Sequence, residues 1–244
     1  MKRERMGGIN AVEALLQRHP ERVTQIWFGA GGPRLDALKA LARESGVSTQ
    51  SAHGAGLDKL VDGEHHQGVV AEFQPEPPLA EADLERLAGL AGRELLLVVL
   101  DQVQDPHNLG ACLRSAAAAG AHAVVVPRDR AAGLTSAARR AAAGAAETLP
   151  LVEVPNLARA LERLQKLGVW CVGLAADAEN SIYQTGLTGP LALVVGGEER
   201  GLRRLTRERC DGLARIPMPG KIESLNVSVA TGIVLFEALR QRSK

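Results

Sequence analysis

Several common signatures are missing from this chain, and each absence narrows what it can be. Lys and Arg total 29 against 28 Asp and Glu, a formal charge of +1, so bulk electrostatics does not mark a nonspecific polyanion binder. Any nucleic-acid surface must be a local patch. The candidates are Lys2, Arg3 and Arg5; Arg128, Arg130, Arg139 and Arg140; and Arg200, Arg203, Arg204, Arg207 and Arg209. Each cluster reads equally well as a solvated helix or loop face. Cys112, Cys171 and Cys210 are widely spaced and form no Cys-x-x-Cys pair, which indicates neither a zinc site nor a disulfide framework. His65-His66 lacks spaced Cys, His or Asp partners, so the pair reads as loop residues rather than metal ligands. No metal is expected.

The start of the chain is charged, without the apolar stretch of a signal segment. The longest apolar runs, such as Leu95–Leu100, are strand-length and too short to span a bilayer. The expectation is a cytoplasmic protein with no membrane partner. No internal repeat is visible. Nor does a Gly-x-Gly-x-x-Gly follow the first fully apolar strand, where the chain reads Asp-Gln-Val-Gln-Asp-Pro-His-Asn after Leu100. That counts against a dinucleotide-binding Rossmann enzyme and the commoner Rossmann-like methyltransferases.

What is present is a core-forming pattern, 45% hydrophobic over 244 residues, with one clear break at Gln74–Pro78. Its three prolines cannot continue a helix or a central strand. Ahead of the break, the spacing predicts a helix from Ile9 through Leu16 with Asn10 near its start, a strand Thr24–Phe28 and a helix Leu35–Arg43. A strand Val47–Gln50 and a closing strand Gly68–Phe73 complete a small α/β module. After it, Leu79–Leu90 reads as a connecting helix. Apolar strands Leu95–Leu100, Ala123–Val126, Leu149–Val152, Val169–Leu174 and Leu191–Val195 then alternate with helices Leu109–Ala119, Leu134–Ala143 and Leu157–Leu167. Leu225–Arg240 is a long final helix. Continuous apolar strands alternating with helices imply an α/β fold whose parallel sheet is buried on both faces. The domains expected are residues 1–73, a linker at 74–92, and residues 93–244.

Three polar stretches stand where apolar strands stop, the usual position of ligands in α/β proteins. In Asp101–Ser115, Pro106 ends the extended run, Asn108 is placed to cap a helix from Leu109, and Arg114 shares a face with Gly110. An arginine there suits a phosphate, although a cap and a surface ion pair would explain the same residues. Gly196–Gly201 follows Leu191–Val195, where glycine permits close main-chain approach; Glu198 either meets a ligand or fixes the loop. Ile216–Ser228 opens on two prolines about Met218 and leads through Ser224 and Asn226 into the last helix.

Together these stretches resemble the three motifs of the SpoU (TrmH-type) family, which methylates RNA ribose 2′-hydroxyls with S-adenosylmethionine. The matching positions are Asp105, Pro106, Asn108, Leu109, Gly110 and Arg114; Gly196, Glu198 and Gly201; then Ile216–Met218, Gly220 and Ser224–Ser228. They occur in the family's order and spacing. At Glu199-Arg200 the loop departs from the residues usual in the family. The resemblance implies a SPOUT-type parallel sheet closed by a deep trefoil knot. Gly8–Val12 and His66–Val70 are similar to the family's RNA-binding domain, which implies an L30e-like module ahead of it. It further implies catalytic roles for Asn108, Arg114, Glu198, Ser224 and Asn226, and cofactor contacts from Gly196, Ile216, Met218 and Leu225. By the same resemblance the substrate is a guanosine ribose in the peptidyl-transferase region of 23S rRNA, free or in a ribosome assembly intermediate, and the enzyme is a homodimer. A tRNA ribose methyltransferase, or a non-catalytic ribosome-associated RNA binder keeping the fold, are the alternatives.

Overall fold

The computed structural model describes residues 3–61, 63, 65–198, 200–222 and 224–243. Lys2 and Glu199, singled out above, lie outside the described residues. The chain divides into two compact units: residues up to Pro77 joined by Gly133–Thr148, and Pro78–Ala132 joined by Leu149 onward.

The first unit runs β1 (Glu4–Gly7), α1 (Ile9–Arg18), β2 (Val23–Phe28), α2 (Pro33–Glu44), β3 (Thr49–Ser51), α3 (Gly54–Leu60) and β4 (Val69–Phe73). Its sheet has the order β1-β4-β2-β3. β4 is antiparallel to both of its neighbours and β3 is parallel to β2. Alternation places Met6, Ile26, Phe28 and Phe73 on one face, where they close against Val12, Leu15 and Leu16 of α1 and Leu38 of α2. The short β1, with its sequence Glu-Arg-Met-Gly, has no apolar run to announce it. The expected strand at Val47–Gln50 is displaced to Thr49–Ser51. Asn10 does not cap α1. Gly8 occupies the cap position, and the Asn10 carboxamide oxygen accepts a 2.6 Å hydrogen bond from Arg34.

Gly133–Thr148, expected within residues 93–244, clusters with this first unit. It carries helix α6 (Ser136–Ala142), the sixth in the chain, capped by the Thr135 hydroxyl, which accepts from the Ala138 N–H. Arg139 is 3% exposed. Its charge is matched by Glu147, and its guanidinium lies 5.1 Å from the centroid of the Phe73 ring. Burial of a charge at this depth requires such partners. Gly144 has φ 96°, and a Cβ there would stand 2.8 Å from that of Ala14, so only glycine lets the segment lie this close to α1.

The second unit contains β5 (Leu79–Ala80), α4 (Asp83–Ala91), β6 (Leu96–Asp101), α5 (Pro106–Ala118), β7 (Ala123–Pro127), β8 (Leu151–Val154), α7 (Leu157–Lys166), β9 (Trp170–Leu174), β10 (Asn180–Ser181), β11 (Leu191–Gly196), α8 (Arg204–Glu208), β12 (Gly212–Arg215) and α9 (Val227–Arg242). The sheet order is β10-β12-β9-β11-β6-β7-β8-β5. Every strand pair is parallel. The central strands β6 and β7 are buried at every position, as parallel strands covered on both faces must be. The α/β class and the parallel sheet expected from the apolar runs are therefore present. The expected helix at Leu79–Leu90 starts later, because Leu79 and Ala80 form an edge strand beside β8. No helix among the described residues is long and apolar enough to cross a membrane.

Two features fix the end of the chain. The Arg242 guanidinium donates to the carbonyls of Glu94, Leu95, Leu187 and Gly189, and the Gln241 amide donates to the Thr185 carbonyl. The last turn of α9 is thus tied to the starts of β6 and β11, and α9 lies along α5 with Cys112 against Thr231.

Candidate active site

β6 and β11 run in register, with Gly196 opposite Asp101, so the two strands release their loops side by side at their carboxyl ends. The Gly197 N–H donates to the Asp101 carbonyl at 2.8 Å, and Gly201 N–H returns to the Gly197 carbonyl at 3.0 Å. This turn is so tight that a Cβ on Gly196 would lie 2.1 Å from the Gly201 carbonyl carbon. Gly196 is thus demanded by the close approach of the returning chain, and Gly201 by its φ of 61°. Asp101 is fully buried, and its carboxylate takes the Arg203 backbone N–H at 2.9 Å and Arg203 Nε at 2.6 Å. That pair locks the far side of the loop.

Helix α5 begins at Pro106, not at Leu109, and its cap is Asp105, whose carboxylate accepts from the His107 N–H at 2.9 Å. Proline suits the first helical position because its missing N–H is not needed there. The expectation that Asn108 caps the helix is therefore wrong. Released from that duty, Asn108 Nδ2 donates to Glu198 Oε1 at 2.7 Å. Asn226 is a true cap, taking the Ser228 N–H at 2.9 Å on its Oδ1. Its Nδ2 is left to donate to Glu198 Oε1 at 2.7 Å and to Asn108 Oδ1 at 3.0 Å. Two amides, from the first and third motifs, thus converge on one carboxylate oxygen of the second.

This triad lies between two lobes that share Gly197, Glu198, Gly201 and Val227. One lobe, about 250 Å³, is mainly apolar and contains Leu174, Ile216, Met218 and Leu225, with Gly196 and Ser224 at its wall. All four residues expected to hold a cofactor line it. Glycine backbone for close approach and a methionine, isoleucine and leucine cover fit the adenine and ribose body of S-adenosylmethionine. The other lobe, about 460 Å³, is lined mostly by polar side chains, among them Gln102, Gln104, Asp105, Asn108, Arg130 and Arg200, beside Val103 and Val227. Among the described residues no cluster of His, Cys, Asp and Glu is suited to a metal.

Of the expected catalytic residues, Asn108, Glu198 and Asn226 meet directly. Ser224 is exposed at the apolar lobe and makes no hydrogen bond to them. Arg114 stands apart: it is exposed on α5 and belongs to neither lobe. Gln102 and Gln104, inside the first polar stretch, and Arg130, in one of the candidate basic patches, had no site role assigned from the sequence, although all follow β6 or β7 at the carboxyl edge of the sheet, which is the signal that finds them. His66 is structural, accepting from the Gly68 N–H on Nδ1 and facing Asp58. The Cys112 thiol, in the wall of α5, is pushed up to about 11 by burial, with the Glu198 carboxylate acting in the same direction.

The fold and this convergence define an S-adenosylmethionine-dependent RNA methyltransferase, and the chain belongs to the SpoU rRNA methylase family, whose profile matches residues 95–236. A second profile, for RNA 2′-O ribose methyltransferase substrate binding, matches residues 7–79. The chain is 55% identical to the 23S rRNA (guanosine-2′-O-)-methyltransferase RlmB of Pseudomonas putida over 98% of its own length and 97% of the relative's. It is 51% identical to the RlmB of Escherichia coli, over 98% and 99%. A crystal structure of an RNA 2′-O ribose methyltransferase superposes with a TM-score of 0.81 at 28% identity, over 99% of this chain and 90% of that one. The methyltransferase AviRb of Streptomyces viridochromogenes, solved with its cofactor, shares the fold with a TM-score of 0.81 at 24% identity, over 98% and 90%.

Proposed function

We propose that this protein transfers the methyl group of S-adenosylmethionine to the ribose 2′-hydroxyl of a guanosine in 23S rRNA. The observation that carries the reading is the convergence of the Asn108 and Asn226 amides on the Glu198 carboxylate between an apolar and a polar lobe, in a chain more than half identical to RlmB proteins over nearly its whole length. When bound, S-adenosylmethionine supplies an activated methyl and a neutral leaving group. The protein's task is alignment, which can account for a large share of the barrier when reacting groups are held in near-attack geometry. The amides of Asn108 and Asn226 fix Glu198 Oε1 and leave its second oxygen as an acceptor for the ribose hydroxyl. Gly196, Ile216, Met218 and Leu225 hold the cofactor, and Ser224 borders both ligands.

Arg114 contributes as an anchor for substrate phosphate, which its planar fork of donors suits. In the single chain it lines neither lobe. We propose a homodimer in which the partner seats on the α5–α9 seam and brings the two copies' motifs together. The support is a half-exposed apolar stripe of Val229, Phe236 and Leu239 on α9, a helix that packs along α5, where Gly232 lies against Ser115. A deep trefoil knot in residues 93–244, and an L30e-like RNA-reading role for residues 1–73 ahead of a linker at 74–92, complete the proposal. The substrate is free 23S rRNA or an assembly intermediate. No feature of the described residues favours tRNA.

The test is methyl transfer from labelled S-adenosylmethionine to unmodified 23S rRNA, to assembly particles and to tRNA. Ribose methylation of one rRNA guanosine, lost in Arg114→Ala, is expected. Transfer to tRNA alone overturns the target, and cofactor binding without transfer to any RNA overturns the reaction.

A further inference from the structure

Resting on that reading, we infer that Arg130 and Arg200 form a phosphate clamp that grips the RNA backbone next to the target ribose, a role none of the three family motifs assigns. The argument begins with an accounting of arginines. Of the basic run after β11, Arg203 is spent on Asp101, Arg204 on Glu208, Arg207 on Asp177 and Arg209 on Glu162. Around α6, Arg139 is spent on Glu147. Arg130 and Arg200 make no hydrogen bond or ion pair among the described residues, yet both line the polar lobe with Asn108 and Glu198. The carboxylates in that lobe are engaged elsewhere: Asp105 caps α5 and Glu198 receives two amides. Two unpaired guanidiniums facing one cleft repel each other unless an anion enters between them.

Backbone geometry shows that the placement is built. β11, β6 and β7 are adjacent in the sheet, so Arg200, Gln102 and Arg130 leave from neighbouring carboxyl ends. Gln102 and Arg130 are held at φ 65° and 60°, a conformation uncommon for residues with a Cβ and one that collects at functional sites. The loops are pinned together. The Ala132 N–H donates to the Val103 carbonyl at 2.8 Å, and a Cβ on Gly197 would fall 2.6 Å from the Gln102 carbonyl oxygen. The guanidiniums therefore project from a fixed rim beside the triad that would hold the 2′-hydroxyl. The ligand chemistry that suits this rim is the phosphodiester on either side of that ribose.

The experiment compares wild type, Arg130→Asn, Arg200→Ala, Arg130→Lys, Arg200→Lys and the control Arg204→Ala on full-length 23S rRNA. Asn is chosen at 130 because it tolerates the left-handed backbone. Readouts are kcat, RNA KM, the salt dependence of RNA binding, and S-adenosylmethionine affinity by calorimetry. For each charge removal we expect an RNA KM raised about tenfold with kcat within twofold. The salt slope should fall by about 0.7–0.9 per lost contact, with cofactor affinity unchanged. Lys variants should recover the slope but only part of KM, because the fork is gone. Arg204→Ala should behave as wild type. An unchanged KM and slope overturns the clamp, as does a KM rise that Lys leaves uncorrected and that the slope does not follow. If wild type transfers no methyl to rRNA, the proposed function fails; the clamp is then still judged by the binding slopes.

Discussion

Arg203→Met leaves a carboxylate stranded where water does not reach. Asp101 has no exposure, and Arg203 supplies both its backbone N–H and its guanidinium to the two oxygens. Removing one partner of a buried pair costs about 3–5 kcal/mol, because the remaining charge is uncompensated. The Arg203 side chain retains 36% exposure, so solvent screens part of the interaction and about 2–4 kcal/mol is expected. The backbone donor at 203 survives the substitution and keeps the loss within that range. In a chain of this size each kcal/mol moves Tm by about 2–4 °C, which gives a fall of roughly 4–16 °C by scanning calorimetry. Asp101→Asn in the same background removes the stranded charge and should recover at least half of the loss. An Arg203→Met protein melting within 1 °C of wild type refutes the reasoning, as does a double variant less stable than the single one. Methyl transfer should fall along with stability, since the same pair holds the loop bearing Glu198.

Gly196→Ala should abolish S-adenosylmethionine binding by calorimetry even where the protein stays folded, since its Cβ cannot stand 2.1 Å from the Gly201 carbonyl carbon without opening the turn. Asn226→Ala removes a helix cap worth about 1 kcal/mol together with two amide contacts. A Tm loss of a few degrees with a much larger loss of kcat is expected, and equal proportional losses would argue for a merely structural role. Native thiols should resist iodoacetamide at pH 8. Burial raises Cys112 from 9.0 to about 11 and Cys210 to about 12, leaving a thiolate fraction of about one part in a thousand or less. Because these values are raised on folding, the corresponding stability is intact below pH 9 and is lost as pH climbs towards 11–12, which denaturant midpoints across that window would show.

The sheet was legible because three of its strands, at Leu95–Leu100, Ala123–Val126 and Leu191–Val195, are uninterrupted apolar runs of the right length. What escaped were elements whose sequences carry no period: β1 in Glu-Arg-Met-Gly, the edge pair β10 and β12, and the one-turn-scale helices α3 and α8. Leu79–Ala80 misled for a related reason. Its helical spacing continues into α4, and only pairing with β8 decides the first two residues. At the site, the residue types at strand ends named the right neighbourhood, but not who bonds to whom. Asn108 looked like a cap since Pro106 was read only as a breaker, and the correct cap, Asp105, frees Asn108 for Glu198. That Arg203 is consumed by a buried aspartate while Arg200 has no partner among the described residues cannot be read from a run of arginines; it depends on which strand end each one faces. Arg114, exposed on α5, lines neither lobe, and its place in the motif does not foretell that.

The excursion Gly133–Thr148 gives the gene an unusual grammar. The stretch matched by the methylase family, 95–236, carries inside it a segment that folds with the other unit, so the polypeptide changes unit three times instead of once. A cut at the proline-rich linker would not release a finished module, because Phe73 would lose Arg139 and Ala14 would lose Gly144. Recombination that trades the substrate-reading half between relatives must therefore exchange two separated pieces of coding sequence in concert, and chimeras joined at the linker alone inherit a mismatched seam in the middle of a fold.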